Sequence, residues 1–229
     1  MKKILMIVTV FSVAMGFLES SVVIYLREIY YPDGFEFPLV PFDGRILIIE
    51  LLREAATILM LISIALLAVG NFSKQFGIFL YSFGVWDITY YIFLKLLIDW
   101  PASLLTWDIL FLIPVPWVGP VMAPCLLSLT MIALALILIL PYKEKYQVNL
   151  SWKDWLLLII GSLIVIGSFT IDYFHIIFNK ANAGEISTML HMLQHYIPRN
   201  FNWYLFFIGW MFIVSDILYI YIRSKRNVG

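Results

Sequence analysis

A single cysteine, Cys125, stands in the whole chain, inside an apolar run. That excludes an intramolecular disulfide and any CxxC metal or redox motif, and leaves Cys125 as a small packing residue. Charge is scarce as well: 13% of residues are charged, and the 15 lysines and arginines cancel the 15 aspartates and glutamates. A chain without net charge has no electrostatic footprint for nucleic acid, so no nucleic-acid partner is expected. The phosphate-cradling patterns GxxxxGK[ST] and GxGxxG do not occur. Neither does a GxSxG nucleophile elbow, and no serine carries a local triad signature. There is no internal repeat, low-complexity tract or linker of domain-separating length, so residues 1–229 read as a single integral membrane domain.

Hydrocarbon fills the chain instead. A hydrophobic content of 62% and a mean hydropathy of +0.93 exclude an ordinary soluble domain. Apolar segments near the ~20 residues a membrane helix needs run over about 4–27, 46–70, 76–99, 121–141, 152–178 and 201–222. The expected fold class is all-α: a polytopic bundle of six transmembrane helices. The first segment has the basic start of a signal peptide, but its apolar body continues to Leu26, which favours a retained helix. With an even number of spans both termini share one side. The larger set of flanking cations, among them Lys2, Lys3, Lys74, Lys143, Lys145 and Arg223, then falls on the side of the termini. By the positive-inside rule both termini are cytoplasmic, in a membrane read as a prokaryotic cell (inner) membrane.

Between the third and fourth spans lies DWPASLLTWDILFLIPVPWVGP, in which Pro101, Pro114, Pro116 and Pro120 forbid one continuous helix. The expectation is an interfacial or re-entrant Pro/Trp-rich segment: a short helix from about Ala102 to Leu112, then an extended return. Trp100, Trp107 and Trp117 fit an aromatic belt. Irregular backbone at membrane depth is tolerated only where protein or water satisfies it, so the segment is either an interfacial anchor or the roof of a site.

The few ionisable residues fall on helix faces by three- and four-residue spacing. Glu19 belongs to the first helix, Glu50, Arg53 and Glu54 to the second, Asp87 and Lys95 to the third, Asp172 and His175 to the fifth, and Asp216 to the sixth. At ~1.5 Å of rise per residue most of them approach the outer leaflet, with Asp216 in the inner half. They are expected to line one cavity, with Glu50, Arg53 and Glu54 pairing among themselves and with Arg27 or Lys95. The fourth helix offers only Ser128 and Ala135 and is expected to be the most lipid-exposed.

Asp172 and His175 at i, i+3, and His191 and His195 at i, i+4, are spacings that place ligands on one metal ion. Histidines on an interfacial helix also serve simply as solvated or hydrogen-bonded residues. The set Ser168, Asp172 and His175 with a later His191-Met-Leu-Gln-His195 resembles membrane zinc hydrolases of the alkaline ceramidase and adiponectin-receptor type. The chain departs from them in having six spans rather than seven and His175 on its fifth helix, which makes the likeness one of metal chemistry.

The leading expectation is therefore a metal-dependent membrane enzyme acting on a lipid, another amphipathic molecule or a small-molecule substrate. His175, His191, His195 and Asp172 would hold zinc or iron, and Glu19, Glu50, Glu54 or Asp87 would supply a general base. The metal would bring a bound water toward a pKa of ~7. One alternative is a proton- or ion-coupled transporter or channel using the staggered Glu19, Asp87 and Asp216. The other is an accessory structural subunit whose small-residue helix faces pack on another chain. Whether the chain is an enzyme stays open on composition and spacing alone.

Overall fold

In the computed structural model, residues 2–40, 43–68, 70–140, 148–181 and 197–226 are described. Their helices are α1 (Lys2–Tyr30), α2 (Gly44–Leu66), α3 (Phe72–Ile98), α4 (Met122–Ile139), α5 (Trp152–Ala181) and α6 (Trp203–Arg226). Local chemistry sets several of these ends. Asp43 caps α2 by accepting a hydrogen bond from the Arg45 amide at 3.1 Å. Asn71 caps α3 in the same way through the Lys74 amide at 3.0 Å. At the other end of α3, Asp99 takes a left-handed conformation (φ 52°) just before Trp100-Pro101.

Five helices (α1, α3, α4, α5 and α6) are long and apolar enough to cross a membrane, the composition of an integral membrane protein. The 23-residue α2 has the length but not the composition. Every 18-residue stretch of it contains Glu50, Arg53 and Glu54, more charge than such a span ordinarily carries.

The short helix expected over about Ala102–Leu112 does not form. Trp107–Phe111 is instead a strand, β1, paired antiparallel with β2 (Trp117–Pro120). The register sets Asp108 opposite Gly119 and Ile109 opposite Val118, with an irregularity between Ile109 and Phe111 that turns the end of the strand. WDILF is rich in residues that favour a pleated surface, and a returning strand satisfies its backbone groups. Gly119 lets β2 lie against α5, where a Cβ would stand 2.8 Å from the Phe169 ring.

The expectation for α4 is also corrected. A larger share of it is buried than of α1 or α6, because Ser128, Ala135 and Ile139 lie on its contact with α3. The two helices close tightly at Gly84, where a Cβ would meet the Ser128 carbonyl oxygen at 2.7 Å.

Packing differs between the two ends of the bundle. Away from the hairpin, one continuous core draws on all six helices, including Val8, Ala65, Ile78, Leu138, Leu158 and Ile220. Toward the hairpin the core divides into four smaller clusters. α5 and α6 pack on each other along their length and meet the other helices chiefly through α4 and β2. The arrangement leaves space under the hairpin.

Candidate functional site

The buried stripe of α2 reads Glu50, Glu54, Thr57, Leu61 and Ala65, which puts two acids where apolar side chains would ordinarily pack. Arg53, on the same side, donates to both of its acidic neighbours. Its Nη1 is 2.5 Å from Glu19 Oε1 on α1, and its Nη2 is 2.7 Å from Glu50 Oε2. Both are charge-assisted hydrogen bonds, stronger than those between neutral groups. One guanidinium thus serves two carboxylates.

Two further acids form no salt bridge among the described residues. Glu54 accepts the Leu112 amide at 3.0 Å on each carboxylate oxygen, tying α2 to the turn of the hairpin. Asp87 accepts the Ser128 hydroxyl at 2.7 Å, across the α3–α4 contact. Glu19, Arg53, Glu54, Thr57, Trp86, Asp87, Tyr90 and Tyr91 line a cavity of about 60 Å³, closed by Ile109, Leu110 and Phe111 of the hairpin. That volume accommodates a few waters or a small cation.

A second, apolar chamber of about 450 Å³ lies between α3 and α4 on one side and α5 and α6 on the other. Phe79, Phe83, Leu127, Met131, Val165 and Ile213 are among its walls, and Trp117 and Phe111 reach it from the hairpin. Trp86, Asp87, Leu110 and Phe111 border both spaces. Asp87 is therefore enclosed by protein yet keeps some free surface, facing cavity rather than solvent.

A separate clasp holds the hairpin down. Arg27 Nη2 is 3.1 Å from Asp108 Oδ1, and both residues are buried. The Arg27 guanidinium also lies 3.7 Å from the Trp100 ring centroid and 4.6 Å from that of Phe35. Burial raises the Asp108 carboxyl above the ordinary carboxylate range, while Arg27 and the nearby tyrosines 91 and 90 pull it back down.

Of the acids singled out as catalytic, Glu19, Glu54 and Asp87 share the cavity, and Glu50 stands behind it holding Arg53. Lys95 does not join them. It reaches outward to Asp99 at 2.7 Å and to the Pro101 carbonyl at 3.1 Å, because its long stem carries the ammonium past the end of α3. The expected pairing of the α2 cluster with Arg27 also fails, since Arg27 is engaged by Asp108.

Asp172 borders a different, nearly closed gap of about 10 Å³ with Tyr173, Phe201 and Asn202. His175 is exposed on α5. His191 and His195 lie outside the described residues, and among the described residues no three His, Cys, Asp or Glu side chains are grouped to hold a metal ion. Spacing alone does not single out Asp108, Trp86 or Tyr90. The repeat Trp86-Asp87 then Tyr90-Tyr91, polar-tipped aromatics one turn apart beside an acid, was the available signal.

Comparison with protein-family models, with curated proteins and with solved structures returned no match.

Proposed function

We propose that this protein is a six-span membrane protein that takes up a cation or proton in the cavity under its hairpin and passes it through the membrane. The observation that carries this reading is the charge imbalance: of Glu19, Glu50, Glu54 and Asp87, only the first two form ion pairs among the described residues, both with Arg53. Uncompensated carboxylates in a low-dielectric interior must gain a proton or a cationic partner. Asp216 on α6 extends the series toward the opposite end of the bundle. It is 1% exposed, and both of its carboxylate oxygens lack a hydrogen-bond partner among the described residues.

The same contacts support counting α2 as a sixth span. Apart from Arg45 at its exposed start, its charges Glu50, Arg53 and Glu54 face Glu19, each other and the Leu112 amide rather than lipid, which is how charge is tolerated at membrane depth. The hairpin is then a re-entrant roof whose backbone is satisfied by its own pairing and by Glu54. Both termini lie on the cytoplasmic side in this arrangement, by the distribution of flanking lysines and arginines.

Reconstitution into proteoliposomes with an interior pH indicator tests the reading. The wild type is expected to carry a pH-dependent flux that Asp87→Asn abolishes and Glu54→Gln reduces. A flux unchanged in Asp87→Asn would refute it.

A further inference from the structure

The geometry points to an amphipathic substrate for this site: a single-chain molecule whose cationic head meets Asp87 and whose tail lies in the apolar chamber. This deepens the cation reading and rests on it. Asp87 is the one carboxylate among the described residues that borders both the polar cavity and the 450 Å³ chamber, so a head held there has the chamber beside it for its tail. The chamber volume falls within the ~300–1,000 Å³ range of small-molecule sites.

Its α3 wall is a ladder of rings. Phe76 to Phe79 is 6.5 Å between centroids, Phe79 to Phe83 is 6.0 Å, and Phe83 to Trp86 is 5.0 Å. From Phe76 to Asp87 the helix rises roughly 16 Å, about half of a ~30 Å hydrocarbon core. A tail that follows the ladder is therefore as long as one leaflet.

The head is specified by charge. The carboxylates around it and the guanidinium already engaged by Glu19 and Glu50 favour a cation and disfavour a phosphate or carboxylate head. The substrate class is thus a long-chain amine.

Binding of radiolabelled N-hexadecylethanolamine to the full chain in nanodiscs tests this, with hexadecanol and ethanolamine as competitors. Saturable binding is expected, with each competitor about tenfold or more weaker than the unlabelled amphiphile, because each lacks half of the recognised molecule. Asp87→Asn and Ser162→Phe, the second of which fills the chamber, should each weaken binding by a similar factor. Absence of saturable binding overturns the proposal. So does ethanolamine competing as well as the amphiphile, or hexadecanol doing so, and these competitor tests need no variant to fold. If the pH-dependent flux persists while the amphiphile fails to bind, the substrate assignment falls and the cation reading stands; if Asp87→Asn leaves the flux intact, the cation reading falls with it.

Discussion

Arg53 is the residue on which the polar side of the bundle turns. It neutralises Glu19 from another helix and Glu50 from its own, and all three side chains are largely removed from solvent. Deleting one partner of such a group strands the others, which in buried networks costs about 3–5 kcal/mol. Arg53→Gln is expected to lose that much stability, read as a lowered thermal midpoint or a poor yield of monodisperse protein. Restoring neutrality with Glu19→Gln and Glu50→Gln in the same chain should recover a large part of it. The Lys95–Asp99 pair offers a contrast. It sits in solvent at the end of α3, and Lys95→Ala should barely move the same midpoint.

At the level of elements, two contacts decide the shape: the clasp on the hairpin and the α5–α6 seam. Arg27 cannot shed its charge, whereas Asp108 can take a proton. Removing the arginine as Arg27→Met takes away the main influence that lowers the Asp108 carboxyl, so its folded-state value climbs further above the unfolded one. A raised carboxyl contributes most stability below the unfolded value, and loses it as pH rises through the folded one. Hydrogen exchange in residues 107–120 of Arg27→Met should accordingly be faster than wild type at neutral pH. After correction for intrinsic rates, the difference should shrink under acid. An equal difference at every pH would mean that Asp108 does not titrate in the variant.

At the seam, Gly161 and Gly209 face one another. A Cβ on Gly209 would stand 2.7 Å from the Gly161 carbonyl oxygen and 2.9 Å from the Val165 amide nitrogen, both backbone atoms that cannot move aside. Gly209→Ala should therefore destabilise by about 1–3 kcal/mol, the usual cost of overpacking. Gly167→Ala, whose Cβ would meet nothing nearer than 3.8 Å, is the matched control and should be neutral or slightly stabilising.

On the scale of the whole molecule, the sequence discloses the helices better than the site. Span limits such as 152–178 and 201–222 fall close to α5 and α6, because hydrophobic length and flanking turns are local properties. WDILF is a short apolar run with no period of its own, so its sequence does not separate helix from strand. What makes it a strand is β2, with Gly119 against Phe169, information held elsewhere in the chain. The partners of the charges were hidden for the same reason. Glu19 and Arg53 are 34 positions apart, and Arg27 and Asp108 are 81 apart, so no helical spacing connects them. Lys95 shares a helix face with Asp87, but its long side chain reaches beyond the helix end to Asp99, which face spacing does not reveal.

The central claim is that acids under the hairpin take up positive charge. Charge displacement on a solid-supported membrane, recorded after a step in pH across adsorbed proteoliposomes, tests it most directly. A transient current is expected from the wild type and its loss from Asp87→Asn, with Lys95→Ala behaving as wild type. A current of undiminished size in Asp87→Asn, from protein that remains folded, would contradict the account.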